Sequence, residues 1–511
     1  MTVTNNYVPP KNQVSNVHEW VFQAGLDGIN LARIIDGSTG VETSGSAIIE
    51  DSRRVASALI SRELGTEAVV AVALPNLTVV AEIALGVLSS GCALAMLNPK
   101  LAPEVLARKL DEVDARILIT TSETQPSQIP GTQYETILID SWDQANSYNK
   151  FKTVQSPDAL PVVSPDSVAL IFQSSGTTSP SKPIELTHKN VVVGLEAVAE
   201  RMKLNSSDSS MAVAPMFHVL GFYMMLLTPL RYGMQVVTLA EIDMETAIDL
   251  IDEYKITYMA GGPPMMKPIA NAGAAGRLTS LRRIHFGGAP IDSQTEYAIK
   301  STFPHAVTGQ GYALTEFMLI SFVAQDDGHP IGTVGRIVNG IEMKIVNPED
   351  GQEFVNGEIG EIIVKGPQMM KGYRGLPEAT AAAIDSDGWF HTGDLGNVDK
   401  EGFLFITGRL KEMIVSNGQR IAPKVFEELI RPLDAVKEVV VAGTREYPQS
   451  STPIAFVVGS GVTTRQITSA LESRPELPEC EVVFVDAIPR SPAGKILRID
   501  LLKSGKGIFD H

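Results

Sequence analysis

Short apolar runs alternate with longer helical patterns over most of this chain. Residues 168–172, 210–214, 235–239, 258–261 and 281–286 are examples, each bounded by polar or glycine-rich turns. Continuously apolar strands separated by helices imply parallel sheets buried on both faces. The most apolar segment, 68–97, is broken by Pro75-Asn76, Glu82 and Ser89-Ser90-Gly91. That punctuation predicts a strand at 69–74, a helix at 78–88 and a strand at 92–97. The segment is then a buried βαβ unit rather than a membrane span. The polar stretch 121–133 is expected to be a surface loop.

From about residue 332 the rhythm changes. Residues 341–346 and 358–364 alternate in strand fashion around the turn Pro348-Glu349-Asp350-Gly351, which predicts an antiparallel, barrel-like subdomain at about 332–408. A second change falls near Gly408-Arg409-Leu410-Lys411. Beyond it the pattern is helix 425–431, strands 436–442 and 454–458, helix 464–473 and strand 481–485. The expected fold is α/β. A large N-terminal domain (1–408) of helix-covered sheets carries the barrel-like subdomain, and a small α+β domain (409–511) follows.

Composition bounds the function. A length of 511 residues exceeds one core, and 44% hydrophobic with 20% charged residues is the balance of an ordinary globular protein. A formal charge of −17 argues against nucleic acid or anionic membrane as the main partner. The two cysteines, Cys92 and Cys480, exclude a disulfide framework and a cysteine zinc site, and fit a reducing, cytoplasmic setting as small core residues. Residues 1–15 lack the basic-then-apolar layout of a secretory signal, and the last residues are not Ser-Lys-Leu.

Candidate chemistry begins at Phe172-Gln173-Ser174-Ser175-Gly176-Thr177-Thr178-Ser179-Pro180-Ser181-Lys182-Pro183, a hydroxyl-rich loop with one lysine after an apolar strand. Backbone N–H groups, hydroxyls and an ammonium in one loop can hold a polyphosphate. Downstream lie Pro215-Met216-Phe217-His218 with Gly221-Phe222-Tyr223, then Gly287-Gly288-Ala289-Pro290, then Gln310-Gly311-Tyr312-Ala313-Leu314-Thr315-Glu316. Next come Trp389-Phe390-His391-Thr392-Gly393-Asp394, Gly408-Arg409-Leu410-Lys411, Ser416-Asn417-Gly418 and Pro489-Arg490-Ser491-Pro492-Ala493-Gly494-Lys495. Singly, each has a bland reading: a loop, a strand end, a satisfied core histidine, a solvated lysine. Their fixed order carries the weight.

In that order they resemble the acyl-adenylate-forming enzymes: acyl-CoA ligases, luciferases and peptide-synthetase adenylation domains. The resemblance spans about residues 55–500, and Pro215-Met216-Phe217-His218 is very similar to a Pro-x-Phe-His of coumarate-CoA ligases. It implies that Ser174, Ser175, Gly176, Thr177, Thr178 and Lys182 hold the ATP phosphates. Gly287, Gly288, Ala289, Pro290 and Gly311 would line the adenine and acyl pockets. Tyr312 would stack on adenine, and Thr315 would bond the α-phosphate. Glu316 would hold Mg²⁺. Asp394 and Arg409 would take the ribose. His218, Phe217, Phe222, Tyr223 and Leu314 would form the acyl pocket with Met216 and Met224, a lining suited to a bulky, largely apolar acid. Lys411 would be a hinge, Gly418 would face the pantetheine arm of coenzyme A, and Lys495 would bridge the substrate carboxylate and α-phosphate. Family members that bind α-amino acids place an Asp in the 211–235 region; this chain has none there, so the acid is expected to lack an α-amino group.

The loop also departs from the family pattern. Ser179, Ser181 and Pro183 stand where the family has Gly, Pro and Gly. Pro183 lacks an N–H and fixes φ, Ser181 is expected to loosen the approach to Lys182, and Glu185 adds a nearby negative charge. Three functions remain open: a complete acyl-CoA ligase, a ligase performing only thioesterification of acyl-AMP from a partner enzyme, and a non-catalytic nucleotide- or acyl-binding homologue.

Overall fold

The structure, a computed structural model, describes residues 3–4, 16–26, 32–131, 134–139, 147–152, 159–174, 181–324, 328–354, 357–416, 419–445, 448–490 and 496–504. Two large sheets form the bulk of the molecule. One has seven strands in the order Gly372–Tyr373, Pro183–Thr187, Val168–Gln173, Ala93–Met96, Val69–Ala73, Ala115–Thr120, Glu135–Leu138. Its last five strands are parallel, while Pro183–Thr187 and Gly372–Tyr373 add antiparallel neighbours at one edge. The nine-stranded sheet is parallel from Arg33–Asp36 through Val307–Leu314, with antiparallel strands at both ends.

The expected βαβ unit is present. Val69–Ala73, Val80–Ser89 and Ala93–Met96 are buried throughout, and no described helix is long and apolar enough to cross a membrane. The helix begins later than predicted because residues 75–80 first make a turn, with Leu77 N–H on the Pro75 carbonyl. Residues 121–131 are more ordered than a plain loop. Two 3-10 turns, Ser122–Thr124 and Pro126–Gln128, meet at Gln125 in the left-handed region.

The antiparallel subdomain is a five-stranded sheet in the order Val3–Thr4, Glu342–Val346, Gly360–Lys365, Phe390–Val398, Leu404–Arg409. Bulges at Glu361/Ile363 and Leu395/Gly396 bend it, but no described pairing joins its end strands into a closed barrel. The C-terminal part has its own core around a three-stranded sheet, Val436–Gly443, Pro453–Gly459 and Glu481–Phe484, covered by Pro423–Ile430 and Thr464–Leu471. The first of these helices starts two residues before the expected position, with Pro423 at its first turn, where proline costs no hydrogen bond. Both cysteines are buried, and burial pushes the Cys480 thiol up to about 12.

Helix Val80–Ser89 packs on helix Gly45–Ile60 at Gly86, where a Cβ would lie 2.5 Å from Val55 Cβ and 2.7 Å from the Ser52 carbonyl. Gly→Ala in a helix ordinarily gains up to ~1 kcal/mol. Here the overlap with backbone should win: Gly86→Ala is expected to destabilise by roughly 1–3 kcal/mol in urea unfolding. Unchanged or raised stability would show that the two helices can separate freely.

Candidate active site

Among the described candidate residues, Tyr312, Asp394 and Arg409 meet where the nine-stranded sheet adjoins the antiparallel sheet, and Lys182 and Glu316 meet at Tyr373 on the edge of the seven-stranded sheet. Strand Val168–Gln173 leads into the phosphate loop; Ser175, Gly176, Thr177, Thr178 and Ser179 lie outside the described residues. The loop's base is closed. Ser174 N–H donates to the Lys182 carbonyl and Lys182 N–H to Ser174 Oγ, both at 2.8 Å. Ser181 Oγ lies 2.8 Å from the Ser174 carbonyl and 3.1 Å from Gln173 Oε1, and the Ser181 carbonyl accepts from buried Lys109 Nζ at 2.9 Å. The expected loosening by Ser181 is therefore wrong, because its hydroxyl spans the loop's two stems.

Pro183 is the first residue of strand Pro183–Thr187, a position that tolerates a missing N–H, and its carbonyl accepts Arg374 N–H at 2.9 Å. Glu185 is not a free charge beside the loop. Arg374 Nη1 holds it at 2.7 Å, with both side chains mostly buried.

Opposite this edge, strands Val307–Leu314 and Met318–Phe322 are joined by the three-residue turn Thr315-Glu316-Phe317. Met318 closes the turn at φ 57°, in the left-handed region that a long side chain rarely adopts. The turn presents Glu316, whose Oε1 accepts the Tyr373 hydroxyl at 3.1 Å, while Thr315 is buried behind it. Lys182 Nζ sits 4.7 Å over the Tyr373 ring, so phosphate-loop lysine and turn carboxylate share one aromatic neighbour.

Tyr312, one strand-turn earlier, donates its hydroxyl to Asp394 Oδ2 at 2.7 Å, and Arg409 Nε donates to Asp394 Oδ1 at 2.8 Å. Asp394 is 4% exposed. Each carboxylate oxygen retains a lone pair for one further donor, which suits two vicinal ribose hydroxyls. Burial, then the Asp394 charge, raises the Tyr312 phenol well above its usual range, so it stays a donor. Asp394 raises the Arg409 guanidinium, which stays charged.

Behind Asp394, buried Glu361 accepts Gly393 N–H at 3.1 Å through Oε1 and faces His391 Nδ1 at 3.0 Å through Oε2. His391 Nε2 lies 3.5 Å from Asp385. The Glu361 hydrogen bond raises the His391 pKa above its ordinary value of 6.5.

On the acyl side, Gly288 adopts φ 81° with open space where a Cβ would be, whereas a Cβ on Gly287 would come within 3.0 Å of the Gly311 carbonyl. A flat group can approach this backbone only because both are glycine. Ala289, Gly311 and Leu314 are half-buried, and Pro290 is exposed. Asn76 fixes the facing strand end: its Nδ2 donates to the Ala212 and Ala214 carbonyls, and its Oδ1 accepts Met216 N–H at 2.7 Å. Phe217 is half-buried, and His218 caps the following helix with Nδ1 3.5 Å from Leu220 N. Phe222 and Tyr223 depart from expectation. They are sealed in the core, edge-to-face with Phe172 at 5.7 Å, and so back the pocket rather than line it.

In the C-terminal part, Gly418 and Lys495 lie outside the described residues. Ile496 and Leu497 are anchored just beyond, with Leu497 N–H on the Pro489 carbonyl and Arg498 paired with Glu412 at 3.1 Å. Lys411 is exposed in the short turn Leu410–Glu412. Among the described residues no group of three or more His, Cys, Asp or Glu could cage a metal. A single carboxylate, Glu316, fits Mg²⁺, which takes one or two protein carboxylates plus substrate phosphates. Tyr373, Arg374, Lys109, Asn76 and Glu361 were missed by motif reading, although Pro75-Asn76 at a strand end was a usable turn signal.

The protein is of the α/β class, and its clustered side chains offer donors and acceptors that suit a nucleotide. A family profile described as AMP-binding enzyme matches residues 32–374. The chain is 32% identical over 510 residues to 4-coumarate–CoA ligase 5 of Oryza sativa subsp. japonica, covering 95% of this chain and 94% of that protein. It is 31% identical over 505 residues to the 4-coumarate–CoA ligase of Pinus taeda, with 95% and 94% covered. Among solved structures, ATP-bound MatB from Rhodopseudomonas palustris matches with a TM-score of 0.88 at 24% identity, over 97% of this chain and 100% of that one. The MenE o-succinylbenzoate CoA synthetase of Bacillus subtilis, solved with its acyl-adenylate OSB-AMP, matches at 0.81 and 24%, over 94% and 97%. These two share the fold. The chain belongs to the AMP-binding enzyme family and is coumarate-CoA ligase-like within the acyl-adenylate-forming superfamily.

A group whose folded pKa is raised contributes stability below its unfolded pKa and loses it as pH rises through the folded value. The Glu361–His391–Asp385 contacts should therefore stabilise the fold below the ordinary histidine value of 6.5 and fade as pH rises above it. The Tm difference between the native chain and His391→Gln should shrink over that rise in calorimetry. A constant difference would show that His391 is not protonated between its two carboxylates.

Proposed function

We propose that this chain is an acid–thiol ligase that converts a bulky, largely apolar carboxylic acid without an α-amino group to its CoA thioester through acyl-AMP, and that it performs both half-reactions. The observation that carries this reading is the pair of side-chain groups: Asp394 hydrogen-bonded by Tyr312 and Arg409, an arrangement that suits a ribose, and Lys182 and Glu316 both on Tyr373. The names of the similar ligases support the class of reaction.

In the first half-reaction the substrate carboxylate attacks the α-phosphate of ATP, forming the acyl–phosphate bond as the bond to pyrophosphate breaks. Lys182 and the loop hydroxyls of Ser174, Ser175, Thr177 and Thr178 hold the departing phosphates, with the backbone of Gly176. Thr315 bonds the α-phosphate, and Glu316 would be the protein carboxylate for Mg²⁺, which would neutralise phosphate charge. Lys495 brings a cation to the carboxylate and α-phosphate, where charge develops. Asp394 and Arg409 hold the ribose while Gly288, Ala289 and Pro290 border the adenine. Phe217, His218, Gly287 and Leu314 form the acyl wall. In the second half-reaction the small domain, from about residue 409, turns about Lys411 and brings Gly418 beside the pantetheine arm. The coenzyme A thiolate then attacks the acyl carbon and AMP leaves.

The reading restricted to partner-supplied acyl-AMP drew its force from the altered phosphate loop. Ser181, Pro183 and Glu185 are each accommodated by hydrogen bonds, strand position or an ion pair, which favours the complete ligase.

Lys495→Ala should lower acid-dependent pyrophosphate release by on the order of 10²-fold or more while leaving thioester formation from synthetic acyl-AMP within a few-fold. Gly418→Trp should do the reverse. Equal loss of both steps in either variant would remove that residue from its assigned half-reaction.

A further inference from the structure

Tyr373 lies outside every motif that marks this site, yet it touches two of them. It belongs to the two-residue edge strand Gly372–Tyr373, which pairs antiparallel with Pro183–Thr187, so that Tyr373 stands opposite Ile184, two residues beyond Lys182. Its backbone is fixed on both flanks. Tyr373 N–H donates to Thr380 Oγ1 at 2.9 Å, and the neighbouring Arg374 is clamped to Glu185. From this fixed position the ring face carries the Lys182 ammonium at 4.7 Å, and the hydroxyl donates to Glu316 Oε1 at 3.1 Å. Among the described residues no ion pair joins Lys182 to Glu316, although both reach the same side chain.

That arrangement has a physical use. A lysine and a carboxylate at the mouth of one site attract each other, and Lys182 has a flexible stem able to follow that attraction. If they paired, the cation meant for phosphate and the carboxylate meant for its metal would cancel before ligand arrived. An aromatic ring offers the ammonium a weaker partner that a polyphosphate can outbid, and a phenol offers the carboxylate a neutral donor. Burial, with the Glu316 carboxylate second, keeps the Tyr373 phenol well above its usual range and hence protonated.

We propose that Tyr373 is a positioning residue of the polyphosphate site, holding Lys182 and Glu316 apart so that both charges remain available to the β- and γ-phosphates of ATP and their metal. The inference deepens the nucleotide-binding part of the proposed function and rests on it.

The test compares a ligand without the β- and γ-phosphates and their metal with one that carries them. Dissociation constants for AMP and for Mg²⁺ with α,β-methylene-ATP, a non-cleavable ATP analogue, are measured by titration calorimetry on the native chain, Tyr373→Phe and Tyr373→Leu. Tyr373→Leu should weaken the analogue by on the order of tenfold and leave AMP within about twofold. Tyr373→Phe, which keeps the ring, should weaken the analogue by less. Unaltered AMP binding also shows that the variants fold. Joint weakening of both ligands, or no weakening of the analogue, overturns the proposal. Pyrophosphate release by the native chain is followed alongside. Selective binding of the analogue without release would overturn the adenylation reading while leaving the role of Tyr373 in place.

Discussion

The buried carboxylate of Asp394 is the interaction on which the site depends. Its two oxygens take a phenol from strand Val307–Leu314 and a guanidinium from the end of strand Leu404–Arg409, while Asp394 itself lies in Phe390–Val398. One side chain thus joins the nine-stranded sheet to the antiparallel sheet at the point where the chain leaves for its C-terminal part. A buried carboxylate stripped of such partners would cost several kcal/mol, so the three strands cannot drift independently. The same bonds leave acceptor capacity on both oxygens, so under the proposed function the interaction that holds the sheets together also takes the ribose.

The phosphate side follows the same logic at the other sheet edge. The loop between Gln173 and Pro183 departs from its family's pattern, and the described structure around it accommodates the departures at Ser181 and Pro183 and the charge of Glu185. A serine bridges the stems, a proline takes the first position of a strand, and a glutamate is met by the arginine that follows the adjoining edge strand. Because that edge strand also carries Tyr373, the accommodation of the loop and the placement of Lys182 and Glu316 are one structural event.

Much of this was legible in the sequence, for identifiable reasons. Parallel strands buried on both faces leave unbroken apolar runs, and Tyr258–Gly261 was delimited to the residue. Boundaries were missed where a turn or a proline, as at Pro75 and Pro423, shifted a helix start without altering the apolar period. Asp394, Arg409, Tyr312 and Glu316 stood out because their motifs recur in order, and the structure brings the first three into one hydrogen-bonded group. Partners chosen by the fold left no local mark. Tyr373 lies 57 residues from Glu316 in sequence, and Asn76 lies 140 from Met216. Phe222 and Tyr223 misled because an aromatic pair beside a pocket motif has the same pattern whether it faces the cavity or the core behind it.

The central claim is that the altered phosphate loop still supports adenylation. It is tested most directly by acid-dependent exchange of labelled pyrophosphate into ATP by the native chain, over a panel of aryl, terpenoid and medium-chain acids, with α-amino acids as controls. The account predicts exchange with at least one non-amino acid of the panel and none with the α-amino acids. A chain that makes thioester from synthetic acyl-AMP and coenzyme A, yet exchanges no pyrophosphate with any acid, would contradict it.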